Sequence, residues 1–177
     1  NIAQHSKVGC DLVGLGTMSS NEHIIETTNL SKSYGPHVAL ENLNLKVVKG
    51  ATGLLGPNGA GKSTFLKTIL GLIQATSGEG YVLGHDIRTE GAAIRSRIGY
   101  MPEYDALNPD MEAIYQVKYS GELLGMNPVV AMSRAHEVLQ YVGLGEQRYR
   151  NIGSFSTGMK QATKLACSII HDPELII

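Results

Sequence analysis

At 177 residues, with 42% apolar and 18% charged side chains, the chain has the composition of an ordinary globular protein and the length for a real core; it is not a disordered tail. A formal net charge of −1 argues against holding nucleic acid by broad phosphate neutralisation, though not against a local basic patch. Cys10 and Cys167 are the only cysteines, lack metal-ligand spacing and read as free thiols, and no stretch approaches the roughly 20 apolar residues of a membrane-spanning helix.

The chain opens on Asn1, without the basic-then-apolar pattern of a secretory leader. Met18 is the first plausible start, so residues 1–17 read as upstream read-through or tag, and 1–21 as a non-native or disordered leader before a partial domain at 22–177. "GLGTMS" from Gly14 lacks a third glycine and a preceding strand, and carries no nucleotide-binding meaning. From Ile24 to Leu30 and from Leu43 to Val47 apolar and polar residues roughly alternate, the pattern of half-buried strands, with the turn-rich "SYGPHVA" between them. "ATGLLG" then predicts a core strand, followed by a helix from near Gly61 whose stripe is Phe65, Leu66, Ile69, Leu70 and Ile73. "ATSGEG" breaks that helix, and "YVLG" is a third candidate strand.

A short basic helix around Ile94 to Arg97 leads into "IGYMP", a strand closed by Pro102. Asp110 is placed to cap one helix, and Asn127 a second that has Pro128 at its first position. The second helix buries Met132, Ala135, Val138, Leu139 and Val142 and stops at Gly143. A last helix runs from about Ser156 to Ile170, and Pro173 separates it from "ELII", which predicts the start of a buried strand. The order predicts an α/β fold with an attached antiparallel β-subdomain and a helical one.

"GPNGAGKST" fits G-x-x-x-x-G-K-[ST] between a predicted strand and a predicted helix. Glycines permit positive φ, so the backbone amides of Gly56, Pro57, Asn58, Gly59, Ala60 and Gly61 (proline excepted) can turn inward on an anion, above the positive end of a helix dipole. Lys62 is placed to reach the β- and γ-phosphates, the Ser63 hydroxyl to ligate Mg²⁺, and Thr64 to contact the α-phosphate. The expected ligands are therefore ATP and Mg²⁺.

From about Glu22 onward the chain resembles the ATPase subunit of ABC transporters, within the P-loop NTPase superfamily. The resemblance rests on the phosphate loop, on "LSKSYG" ahead of it, and on "SFSTGMKQ", which is similar to the family signature L-S-G-G-Q. It implies that Tyr34 stacks on the adenine, and that Ser156, Thr157, Gly158 and Met159 face the γ-phosphate of ATP held by a second subunit. Thr157 and Met159 depart from the usual glycine and glutamine, and Ala162 stands where many relatives carry arginine. Glu103, after "IGYMP", occupies the position of a glutamine that touches Mg²⁺ and the attacking water; its carboxylate can still ligate the metal. The resemblance further implies a head-to-tail dimer, a separate integral-membrane permease docked on the helical insert at about 106–150, a place on the cytoplasmic face of the membrane, and export as the direction of transport.

His171 is read as a surface residue at a helix end, not the family's switch histidine. The Mg²⁺-linked aspartate and the general-base glutamate are expected about two residues beyond Ile177, so the catalytic set is not within these residues and the piece is expected to bind nucleotide without turnover. Two alternatives stay open: a soluble relative acting on ribosomes or DNA, and a non-hydrolysing regulatory cassette.

Overall fold

The computed structural model describes residues 11–15 (backbone only), 23–104 and 106–177. Cys10, Met18 and most of the 1–21 leader lie outside these residues. The chain divides into two compact units, the first ending at Arg95 and the second running from Ser96 to Ile177.

The first unit is built on a hairpin. Strands β2 (His23–Tyr34) and β3 (His37–Val48) pair antiparallel, and β5 (Ser77–Val82) and β6 (His85–Asp86) extend the sheet in the order β3-β2-β5-β6. Much of "SYGPHVA" is therefore strand, and the turn itself narrows to Gly35 and Pro36, with Gly35 at φ 58° supplying the left-handed step. The sheet buries Ile25, Leu30, Leu40 and Val82. Helix α1 (Lys62–Ile69) contacts β3 and β5 and buries Phe65, Ile69 and Leu70.

Ile73 does not belong to that stripe. Gly71, at φ 63°, ends the helix: its N–H donates to Thr68 O (3.0 Å) and Leu72 N–H donates to Lys67 O (2.9 Å), the paired bonds of a glycine C-terminal cap. Arg95, on the end of α2 (Gly91–Ser96), adds a cation there by donating to Leu70 O at 3.1 Å.

Strand β4 (Ala51–Leu55) pairs antiparallel with β1 (Asp11–Leu15). It was expected in a core, yet Ala51, Thr52, Gly53 and Leu55 are exposed. Among the described residues β1 is its one hydrogen-bonded neighbour, and a five-residue strand with one neighbour leaves both faces and an edge uncovered.

The second unit packs α3 (Ala113–Leu123), α4 (Pro128–Tyr141) and α5 (Thr157–Ile169) around Val117, Leu139, Ile152, Phe155 and Ile170. Asn127 caps α4 as expected, accepting from Val129 N–H at 3.0 Å with Pro128 at the first position. Gly143 (φ 81°) closes it through bonds to Gln140 O and from Leu144 N–H to Leu139 O. Asp110 caps nothing. The N-cap of α3 is Glu112, without a side-chain bond, and Asp110 N–H instead donates to Asn108 Oδ1 at 3.0 Å within the preceding turn.

Strands β7 (Ile98–Gly99) and β8 (Leu175–Ile176) run parallel, extended by Met101 N–H to Ile177 O and Ile177 N–H to Gly99 O, both 2.8 Å. Residues 171–177 alternate between half-buried and exposed, and Ile176 is 51% exposed. The expected buried strand is thus a half-buried one, because among the described residues it pairs on one edge only.

Candidate functional site

The phosphate loop lies in the first unit, between β4 and α1. Gly59 and Gly61 both take φ 84°, in the left-handed region. Gly61 is also the N-cap of α1, and a Cβ there would meet Ala39 O at 2.4 Å and Leu40 Cδ2 at 3.0 Å, so both conformation and space demand glycine. Phe65 N–H to Gly61 O (2.8 Å) is the first bond of the helix. The N–H groups of Lys62, Ser63 and Thr64 come before it and lack an intrahelical acceptor by construction. No acidic residue occupies that first turn, and residues 56–59 are exposed.

Lys62 curls over its own loop, its Nζ donating to Gly56 O (2.5 Å) and Pro57 O (2.8 Å). Ala60 N–H donates back to Pro57 O at 3.2 Å. A lysine head, helix-start amides and the Ser63 hydroxyl thus gather within nine residues, a donor set suited to phosphate oxygens and a hard cation.

Tyr34 ends β2 opposite His37; the residue is 49% exposed, and Lys32 Nζ lies 5.0 Å from its ring centre. Ala39, two residues past His37, is the residue whose carbonyl abuts Gly61. Tyr34 and the loop thus share the hairpin: Tyr34 pairs with His37, and Gly61 abuts the carbonyl two residues further along β3.

The second unit holds the remaining candidates. Ser156 is the N-cap of α5 and its Oγ accepts from Met159 N–H at 3.3 Å. Beneath it Phe155 is buried and Met159 packs against the helical core, so Phe155 and Met159 anchor the helix start. Ser156, Thr157 and Gly158 are exposed, and a Cβ on Gly158 would meet nothing within 4 Å. Nothing in the chain's own packing asks for glycine there, although glycine costs a helix about 1 kcal/mol relative to alanine.

Glu103 is exposed in the bend after β7. Sequence reasoning missed Lys164 and misplaced His171. Lys164, on α5, is buried and donates to Pro102 O (3.2 Å) and Glu103 O (3.4 Å). The available signal was a lysine within the apolar stripe of Thr163, Ala166, Cys167 and Ile170. His171 is half-buried, not a surface residue: its Nε2–H donates to Ile98 O at 3.2 Å, tying the end of α5 to β7. Burial lowers its pKa, against smaller opposing pulls from the Ile98 hydrogen bond and Asp172. Cys167 is a free thiol, pushed up to about 11 by burial.

The family model described as ABC transporter matches residues 40–177, most of the chain and all of both glycine-bearing motifs. The chain belongs to the ABC transporter family. This cassette is 38% identical over 155 residues to the linearmycin resistance ATP-binding protein of Bacillus subtilis, covering 87% of this chain and 50% of that protein. It is 35% identical to the Nod factor export ATP-binding protein I of Cupriavidus metallidurans, with 87% and 51% covered. Among solved structures it resembles a nucleotide-free ATP-binding cassette of an ABC transporter, with a TM-score of 0.73 at 24% identity over 88% of this chain and 68% of that one. The ATP-binding subunit of another ABC transporter superposes with a TM-score of 0.69 at 23% identity, covering 86% and 64%. These likenesses establish the α/β cassette fold, and the chain spans about half the length of the curated relatives it matches.

Proposed function

We propose that the complete protein is the ATP-hydrolysing subunit of an ABC exporter. The observation that carries this reading is the glycine-built loop ending in Lys62 and Ser63 at the start of α1. Relatives named for resistance and export support the direction of transport.

ATP binds with its phosphates over the loop amides and its base against Tyr34. Ser63 and Glu103 would hold Mg²⁺, which neutralises charge developing on the phosphates during transfer. Lys62 exchanges its two carbonyl partners for phosphate oxygens, a stronger, charge-assisted bond. The start of α5 serves the nucleotide of a second, head-to-tail copy. Gly158 fits this role because a missing side chain lets a partner's phosphate approach the backbone closely. By itself the 177-residue chain binds Mg-ATP without steady turnover. A membrane permease docks on the helical unit near Glu103, which places the protein on the cytoplasmic face. No helix among the described residues is long and apolar enough to cross a membrane.

Sedimentation of the complete protein with Mg-ATP tests the paired arrangement. The native protein pairs; Gly158→Leu takes up ATP yet stays monomeric, since its side chain enters open space in the monomer; Lys62→Ala does neither. Pairing of Gly158→Leu at native ATP concentration contradicts the assignment of α5.

A further inference from the structure

A lysine is almost never buried unless its head is partnered, and Lys164 is 4% exposed. Its partners are unusual: two consecutive main-chain carbonyls, Pro102 O and Glu103 O, 62 and 61 residues back in the chain. Among the described residues no carboxylate lies within ion-pair distance of it. The apolar stem lies on the buried side of α5 and the head reaches across to the loop.

Those carbonyls belong to a stretch that makes few other hydrogen bonds among the described residues. Met101 N–H to Ile177 O is the last ladder bond before the loop, and Asn108 N–H to Gln116 Oε1 is the first described bond on its far side. Pro102 has no N–H to offer. Between these points, among the described residues, Lys164 supplies the hydrogen bonds that hold the backbone at residues 102 and 103.

We propose that Lys164 is a positioning residue that fastens the backbone of Glu103 to α5, so that the group beside one nucleotide and the helix start aimed at a second one shift together. This rests on the functional reading above, which places Glu103 beside Mg-ATP and Ser156 against a partner's nucleotide. Lys164 stands seven residues inside α5 from Thr157, about 11 Å at 1.5 Å per residue. Over so short a length a helix moves as a stiff rod, and displacement of the Glu103 loop is transmitted to Ser156 and Gly158. Two main-chain acceptors suit this task, because they fix the path of the loop and leave the Glu103 carboxylate free to meet its ligand.

The test uses the complete protein with Lys164→Met, which keeps the stem and removes the donors, and Lys164→Arg, which retains donors. Amide hydrogen exchange at Met101 and Asn108, the hydrogen-bonded amides that bracket the loop, is compared with exchange along α5, and kcat and KM for ATP are measured in parallel. Lys164→Met raises exchange at Met101 and Asn108 about tenfold while α5 stays protected. It lowers kcat about tenfold and leaves KM within about twofold, and Lys164→Arg recovers both readouts. Unchanged exchange at Met101 and Asn108 overturns the proposal, as does a rise spread evenly through α5, the mark of a lysine that only packs. Faster loop exchange with native kcat overturns it too. If the native protein hydrolyses no ATP, the functional reading fails, while the exchange comparison still decides whether Lys164 holds the loop.

Discussion

Gly59 and Gly61 offer a matched pair in which conformation and space separate. Both have φ 84°, so alanine at either position is forced into the left-handed region, a penalty of roughly 1–2 kcal/mol. At Gly59 the new Cβ meets nothing within 4 Å, and that penalty is the whole effect. At Gly61 the Cβ arrives 2.4 Å from Ala39 O, a main-chain atom of β3 that cannot rotate aside. Relieving it requires a shift of the start of α1 or of the hairpin bearing Tyr34, which adds about 1–3 kcal/mol of overpacking. Gly61→Ala is therefore expected to destabilise the first unit by about 2–5 kcal/mol and Gly59→Ala by about 1–2 kcal/mol. Urea denaturation followed by circular dichroism reads the two midpoints, with ATP titration of each variant alongside. Equal midpoints for the two variants, or a milder effect at Gly61, would refute the reasoning that close packing on β3 fixes the loop.

Asn127→Ala removes the one side-chain cap of α4 and is expected to lower stability by about 1 kcal/mol, whereas Asp110→Ala stays within about 0.5 kcal/mol; equal losses in urea melts count against the observed caps. His171 binds its proton less readily when folded than its ordinary value near 6.5, so its stabilising contribution is complete above that pH and is lost as pH falls through the lower folded value. Melting temperatures of His171→Gln should accordingly depend less on pH below 6.5 than those of the native chain, and parallel curves would rule this out. With its thiol near 11, Cys167 at pH 8 is about one part in a thousand thiolate and should resist iodoacetamide until the chain is unfolded; prompt labelling of the Cys167 peptide in the folded chain contradicts its burial.

What the sequence revealed was chiefly local. The phosphate loop, the Asn127–Pro128 start and the Gly143 stop of α4, and the Ser156 start of α5 each depend on residues within a turn of one another, and each stands where the spacing put it. Ile73 went astray because a glycine two residues earlier outweighs apolar periodicity once it takes a left-handed φ. Asp110 went astray because its local turn with Asn108 is equally available to the same short segment. Strand β4 looked like core from its apolar run, but coverage is decided by distant neighbours that a run of five residues does not encode. The same holds for Lys164 and His171, whose partners lie 62 and 73 residues away.

Direct titration of Mg-ATP into this chain, native and with Lys62→Ala, probes the central claim most closely: a loop of backbone amides and one lysine grips a triphosphate. Saturable binding by the native chain, weakened at least about tenfold by loss of the charge-assisted lysine bond, is the expected result. Affinity unchanged by Lys62→Ala, or no binding by a chain shown to be folded, would contradict it.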